Sequence, residues 1–369
     1  MSILRIIIAG GGTGGHIFPA IAIAKAILAL RPDSEILFVG AEGKMEMEKV
    51  PAAGFKIIGL PIVGIQRRLT LKNLLLPLKV IQSLIKARGI IKNFKPHVAI
   101  GVGGYASGPL LRAASALGVK TLLQEQNSYP GITNKILSKK ADKICVAYEG
   151  LEKFFPHHKI VFTGNPVRPE VVQLDGKRNH AQEFFHLDPN KKTLLVVGGS
   201  LGARTINHSI RSCADLLVKH DFQIIWQTGK SYAQSALAFA VAHDSDAIHV
   251  FEFIQKMDLA YAAADIIVSR AGAMSISELC LVKKPAILIP SPNVSEDHQT
   301  KNAMALVNKK AAVLIRDDEA EKVLGNEIIA LLNDETKMNS LSTNIAKLGF
   351  ANASEAIANE VFKLVDTHS

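Results

Sequence analysis

Residues 3–30 read ILRIIIAGGGTGGHIFPAIAIAKAILAL. A short β-branched run, 3–9, stops at a row of glycines and passes directly into an apolar helical pattern that lasts through Leu30. Strand, glycine turn and helix in that order open a βαβ unit, and the order recurs. Strand-like runs at 35–40 (EILFVG), 97–102 (HVAIGV), 120–123 and 142–146 are separated by helix-length segments. The series restarts at 193–197 (TLLVV) and continues at 222–227, 247–251, 265–268 (DIIVS), 285–289 and 311–315. Strands alternating with helices predict an α/β chain of two doubly wound, Rossmann-like domains with parallel sheets. The loop-like GNPVRP, 164–169, is the expected joint, giving domains 1–164 and 165–349. An amphipathic helix over 350–366, within a 350–369 tail, is expected to cross back onto the first domain.

The chain's 369 residues suit two such domains, and its 48% apolar content allows two full cores. Three cysteines, Cys145, Cys213 and Cys280, lie far apart and fit neither a disulfide framework nor a zinc site. The start has no basic n-region, and no run of about 18 apolar residues occurs. A soluble or peripheral protein on the cytoplasmic side is therefore expected. Charge is lopsided: 22 Lys and Arg face 9 Asp and Glu before Asn165, so the whole net charge of +10 belongs to the first half. From Lys49 through Gln124 there are 12 basic residues and no acidic one. One domain must meet something anionic: nucleic acid, a membrane surface or a phosphorylated substrate.

Four glycine-rich turns stand at predicted strand ends: Gly10–His16, 101–109 (GVGGYASGP), 198–204 (GGSLGAR) and 269–278 (SRAGAMSISE). Glycine lets the backbone approach a ligand closely, and a following helix start offers N–H groups to an anion. The first turn resembles a dinucleotide fingerprint, but Phe38-Val39-Gly40 stands where a ribose-binding acid belongs, and no Walker pattern exists. Four turns recurring in both halves predict a phosphate-bearing ligand held between the domains.

The set GGTGGHIFPA (11–20), GVGGYASGP, QEQN (124–127), GNPVR (164–168), GGSLGAR, SRAGAMSISE and EDHQTKNA (296–303) resembles the MurG family, in family order and over nearly the whole chain. That family comprises the peptidoglycan glycosyltransferases that add N-acetylglucosamine to lipid I, giving lipid II. Gln124 departs from the pattern, because His is frequent at that position. The resemblance implies the GT-B fold, two domains facing across a cleft. It also implies a UDP-GlcNAc donor on the second domain and a polyprenyl diphosphate-linked acceptor on the first. Ser200 and the 273–276 helix start (Ala273, Met274, Ser275, Ile276, followed by Ser277) would meet the diphosphate, and Glu278 the ribose hydroxyls. Phe253, Ile254 and Met257 would hold the uracil, Ile254 through backbone polar atoms. Gln299 would bind the sugar, and Arg168 would add positive charge. Thr13, Gly14, Gly15 and Asn127 join this donor set. Gly12, Gly103, Gly104 and Tyr105 form the acceptor and diphosphate side. No cofactor is implied, and other cell-wall synthesis proteins are further expected partners.

Transfer from UDP-α-GlcNAc to a β-linked product inverts the anomeric carbon, which fits one direct displacement by the acceptor 4-hydroxyl. That step needs a base and stabilisation of the leaving UDP. His16, at the first helix start, is the leading base candidate, since the helix dipole favours a neutral imidazole there. Asn127 and Tyr105 are expected to orient the acceptor or base, and Glu125 is the second base candidate. The one DxD match, Asp244-Ser245-Asp246, reads as a connecting turn, so no metal is expected.

A polyprenyl acceptor requires docking on the cytoplasmic face of the inner membrane. Residues 67–95, RRLTLKNLLLPLKVIQSLIKARGIIKNFK, combine apolar spacing with eight basic residues and no acid. This reads as an interfacial segment, with Leu74, Leu75 and Leu78 entering the headgroup boundary and Lys72, Lys79 and Lys86 meeting anionic lipid. Pro77 is expected to precede a helix over about 78–93. The segment lacks the interleaved aromatics of a nucleic-acid binder. The rival readings are a UDP-GlcNAc 2-epimerase-like isomerase and a non-catalytic nucleotide-sugar-binding membrane subunit. A dehydrogenase is the weakest, for want of the ribose acid.

Overall fold

The computed structural model describes residues 3–62, 76–199, 201–243 and 246–366. The chain divides into two units, Met1–Val167 with Asn352–Ser369, and Arg168–Ala351. In the first, β1 (Arg5–Ala9) is buried on both faces. Ile6 and Ile8 pack with Ile17, Ile23 and Ile27 of α1 (Gly14–Leu30), while Ile7 and Ala9 join the opposite core layer. A strand covered twice must be apolar at successive positions, which explains the unbroken Ile-Ile-Ile run. Each such isoleucine contributes about 1.5–3 kcal/mol by leaving water.

The remaining strands of this unit are β2 (Glu35–Ala41), β3 (Lys56–Leu60), β4 (Val98–Gly101), β5 (Lys120–Glu125), β6 (Lys143–Val146) and β7 (Ile160–Phe162). All pair in parallel in the order 3-2-1-4-5-6-7. The first face is covered by α1 and the C-terminal helix, Ala353–Asp366. That helix returns as expected: the Arg31 guanidinium lies 4.3 Å from the Phe362 ring centroid and 3.6 Å from Asp366. α2 (Glu46–Ala52) follows β2. The second face carries α3 (Leu76–Phe94), α4 (Ser107–Ala116) and α5 (Ile132–Ser138), placing Ile90, Ile91, Leu110 and Leu111 in the core.

The second unit repeats the design. Its strands are β8 (Lys192–Val197), β9 (Phe222–Gln227), β10 (Ile248–Phe251), β11 (Ile266–Ser269), β12 (Ala286–Leu288) and β13 (Val313–Leu314), parallel in the order 10-9-8-11-12-13. Its helices are α6 (Pro169–Val172), α7 (Arg178–Phe184), α8 (Arg204–Lys219), α9 (Ala233–Ala242), α10 (Met257–Ala263), α11 (Ala273–Val282), α12 (His298–Val307), α13 (Ala320–Leu332) and α14 (Glu335–Ala346); the C-terminal helix is α15. Trp226 is fully buried at the centre, its indole N–H donating to Asn207 Oδ1 at 3.0 Å.

The sequence reading misses β3 and β7. Both are edge strands with partly exposed patterns, so neither shows the continuous apolar run of a strand buried on two faces. In each sheet the strand order reverses beside the first strand of its unit, between β1 and β4 and between β8 and β11. The four glycine turns flank these two switch points, where parallel sheets take their ligands.

Candidate functional site

The first unit's two glycine turns interlock. Gly103 and Gly104 take φ of +99° and +83°, conformations that favour glycine. A Cβ on Gly104 would overlap the Gly11 carbonyl oxygen, and one on Gly103 would stand 2.8 Å from His16 Nε2. The Ser107 hydroxyl, 2.8 Å from Gly103 O and 3.0 Å from Ala9 O, ties the second turn to β1. His16 is thereby packed against a backbone with no side chain. Its Nδ1 lies 3.1 Å from Gly11 O and 3.4 Å from Thr13 Oγ1. A carbonyl only accepts, so Nδ1 carries a proton, and Nε2 is the nitrogen that holds the lone pair whenever the ring is neutral.

Beneath the turn lies Glu46, fully buried, which the sequence reading did not single out. Its Oε1 accepts from Ala41 N at 3.0 Å and its Oε2 from Gly12 N at 2.9 Å. Gly11 is glycine because a Cβ there would overlap this carboxylate. The Gly12 N–H therefore serves a carboxylate, while Gly12 itself stays exposed at the turn. Further donors are the first-turn N–H groups of α1, among them Gly14 and Gly15, which have no intrahelical acceptor. Thr13 stands at the N-cap without a side-chain capping bond, and no acidic residue occupies the first turn.

The reading of Glu125 as a base candidate is corrected. The residue is 2% exposed, and its carboxylate is enclosed by donors. Oε1 accepts from Asn127 N at 3.0 Å and Asn127 Nδ2 at 3.1 Å; Oε2 accepts from Asn134 Nδ2 at 2.8 Å and Gly131 N at 3.3 Å. Burial raises its pKa, against the pull of these hydrogen bonds. This geometry holds the 127–134 loop and orients Asn127, and it does not expose a base. Gln124, the departure from the family pattern, donates to Asn165 Oδ1 at 3.0 Å, and Asn165 Nδ2 donates to Gln126 O at 3.0 Å. The QEQN and GNPVR segments thus form one buried polar network. Tyr105 is 47% exposed, just before α4.

In the second unit, Gly202 and Gly229 take φ of +77° and +76° and press the β8 and β9 turns together; a Cβ on Gly202 would overlap Thr228 O. Gln227 spans two motifs: its Nε2 donates to Gly199 O at 3.1 Å, and its Oε1 accepts from Ile254 N at 2.9 Å. The Ile254 N–H is therefore engaged inside the protein, which removes it from the expected uracil contacts. Met257 begins α10, half-buried, and neighbouring Phe253 is 55% exposed. Ser200 lies outside the described residues.

At the other side of this switch point, α11 starts after Gly272 with no side-chain cap and no acid in its first turn. Ala273, Met274 and Ser275 are half-buried there, and Ile276 is core. By contrast, α14, elsewhere in the unit, has Asp334 accepting from Lys337 N at 2.8 Å. An uncapped, acid-free helix start keeps both its dipole and its N–H groups for an anion. The Ser277 hydroxyl donates to Ala273 O at 3.0 Å, so it back-bonds to its own helix. Arg270 steadies the turn, donating to Ile289 O at 3.0 Å, Pro290 O at 3.1 Å and Asp317 Oδ1 at 2.5 Å. Thr205 of α8 donates to Asp317 Oδ2 at 2.9 Å. Glu278 is half-buried; burial raises its pKa, opposed by the Tyr261 hydroxyl and the charge of the exposed Arg168. Gln299, in the first turn of α12, accepts from Ser291 N at 2.8 Å through Oε1, which leaves its amide as donor.

α3 starts at Leu76, so the expected Lys72, Leu74 and Leu75 lie outside the described residues. Leu78, Ile81 and Ile85 are 58%, 53% and 66% exposed, an apolar stripe at helical spacing. Lys79 is half-buried beside it. Lys86 is exposed on the same helix and pairs with Glu42 at 2.8 Å. Among the described residues no helix is long and apolar enough to cross a membrane. No cluster of three or more His, Cys, Asp or Glu fit for a metal occurs among them. Asp244 and Ser245 of the DxD match lie outside the described residues.

Comparison with known proteins agrees with this architecture. The description of the glycosyltransferase family 28 N-terminal domain matches residues 6–146, and that of its C-terminal domain matches 193–357. A Phocaeicola vulgatus protein is 56% identical over 366 residues, covering 99% of this chain and 97% of the relative. A Cytophaga hutchinsonii protein is 56% identical over 363 residues, covering 98% and 97%. Both bear the name UDP-N-acetylglucosamine--N-acetylmuramyl-(pentapeptide) pyrophosphoryl-undecaprenol N-acetylglucosamine transferase. The crystal structure of Acinetobacter baumannii MurG matches with a TM-score of 0.79 at 26% identity, over 98% of this chain and all of that one. A Neisseria meningitidis UDP-GlcNAc 2-epimerase matches with a TM-score of 0.68 at 16% identity, over 98% of this chain and all of that one, which is likeness of fold alone.

Proposed function

Because this chain belongs to glycosyltransferase family 28, and within it to the N-acetylglucosamine transferases named above, we propose that it moves N-acetylglucosamine from UDP-GlcNAc to lipid I, forming lipid II for peptidoglycan synthesis. The observation that carries the mechanism is the fixed tautomer of His16, whose Nδ1–H is committed to Gly11 O. Nε2 takes the proton of the acceptor 4-hydroxyl as that oxygen attacks C1 of the sugar. The C1–O bond to UDP breaks with inversion, and negative charge grows on the departing diphosphate. The acid-free starts of α8 and α11, with Arg168, oppose that charge. Glu278 accepts the ribose hydroxyls, Met257 borders the uracil, and the Gln299 amide donates to the sugar. Asn127, Tyr105 and the first turn of α1 serve the acceptor side. The epimerase reading has only the shared fold in its favour.

Turnover tests the whole. Incubated with UDP-GlcNAc and a lipid I analogue, the protein releases UDP and forms the disaccharide. UDP-ManNAc made without acceptor would instead establish the epimerase, and donor binding with no turnover would establish a non-catalytic subunit.

The acceptor's polyprenyl tail places the enzyme at the cytoplasmic face of the cell membrane, and α3 supplies the docking stripe. Burying the exposed portions of Leu78, Ile81 and Ile85 is worth about 1 kcal/mol each. Arg88, Lys92 and Lys95 stand exposed on the same helix and beyond its end, for anionic headgroups. Ile81→Glu with Ile85→Glu should abolish sedimentation with anionic vesicles yet spare turnover of a short-tailed soluble acceptor. Unchanged vesicle binding would remove α3 from the membrane contact.

A further inference from the structure

Glu278 is held by a side chain with no role so far. Tyr261, on α10, is 3% exposed, and its hydroxyl donates to Glu278 Oε2 at 2.9 Å. The phenol stays a donor at every working pH, because burial and the neighbouring carboxylate push its own pKa well above the usual value. A carboxylate that reads a cis-diol needs one defined plane, since two hydroxyls approach in fixed directions. A hydrogen bond from a buried, shape-fixed phenol supplies that plane, whereas an unsupported glutamate samples several rotamers.

We propose that Tyr261 is a positioning residue for the nucleotide's ribose: by fixing Oε2 of Glu278 it sets the carboxylate to accept the 2′- and 3′-hydroxyls, and so gives the enzyme its preference for ribo- over 2′-deoxyribonucleotides. This rests on the reading of Glu278 as the ribose acceptor. The phenol also favours the charged form of Glu278, against the burial that raises its pKa. The groups acting on that carboxylate are Tyr261 from α10 and Arg168 at the start of α6. Donor binding is full above the Glu278 pKa and is lost as pH falls through it; without the phenol that loss begins at higher pH.

The test uses the full-length enzyme with Tyr261→Phe, which removes one oxygen and keeps the ring. The KM for UDP-GlcNAc should rise about 10- to 150-fold, the scale of one hydrogen bond to a charged group, with kcat within about twofold. The ratio of inhibition constants for 2′-deoxy-UDP and UDP should fall towards one, and the acid limb of kcat/KM should move upward. Glu278→Ala should bring the same ratio to about one. If Glu278→Ala collapses the ratio while Tyr261→Phe leaves ratio, KM and acid limb unchanged, the positioning role is overturned and the ribose reading stands. If Glu278→Ala itself leaves the ratio unchanged, the ribose reading fails first. A fall in kcat with an unchanged ratio would mark Tyr261 as merely structural and overturn the proposal as well.

Discussion

Replacing Glu46 by glutamine isolates the support beneath the first glycine turn. The carboxylate is fully buried and accepts two backbone bonds, from Ala41 N at 3.0 Å and Gly12 N at 2.9 Å. Hydrogen bonds to a charged group are worth about 1.5–3 kcal/mol each, and neutral ones about 1 kcal/mol. An amide in the same space has only one acceptor. Ala41 is 1% exposed and cannot turn to water, so the amide oxygen stays with it. The NH2 then meets the Gly12 N–H, donor against donor. One charged bond is lost and the other weakened, offset by hydration of the exposed Gly12 and by the easier burial of a neutral group. The net cost is about 2–4 kcal/mol, a fall in melting temperature of roughly 5–15 °C for a unit of this size. Activity suffers separately, because Gly11 supplies the carbonyl that fixes His16. At a temperature where the variant is folded, kcat should drop at least about tenfold while the KM for UDP-GlcNAc holds. Calorimetry and steady-state kinetics on one preparation read both effects. Wild-type melting and kcat would refute the argument, and a raised KM with intact kcat would move the turn's role to the donor.

Other expectations follow from the same geometry. His16→Ala should lower turnover by about 10²–10⁴ with little change in donor affinity, measured by isothermal titration with UDP and by product formation; a loss confined to donor binding would end the base assignment. Gly104→Ala, at φ +83° with a Cβ driven into the Gly11 carbonyl, should cost about 3 kcal/mol or more, whereas Gly118→Ala, at φ +75° in open space, should cost only about 1 kcal/mol of backbone strain. Equal denaturant midpoints for the two would show that the turns do not interlock. All three cysteines are buried, with the thiols of Cys213 and Cys280 pushed up to about 12 and that of Cys145 raised further. Iodoacetamide at pH 8 should leave the native protein unlabelled and modify three sites in urea; rapid native labelling of any one would contradict that burial.

The chain's own order of residues determined the repeated βαβ plan, because a strand covered on both faces must be apolar throughout, and Ile6-Ile7-Ile8 or Leu194-Leu195-Val196 shows it without help. It also determined the four glycine turns and the basic, acid-free stretch, since both are signals carried by neighbouring residues. Edge strands such as Lys56–Leu60 were not legible, because half their surface stays wet and their pattern is weak. What Glu46, Tyr261 and Arg270 do was decided only by the tertiary structure. Their partners lie 34, 17 and 47 residues away, brought close by parallel strand pairing and helix packing that no local pattern encodes. The same holds for the demotion of Glu125: composition shows that a carboxylate exists, but only folding decides that it is already answered from inside the protein.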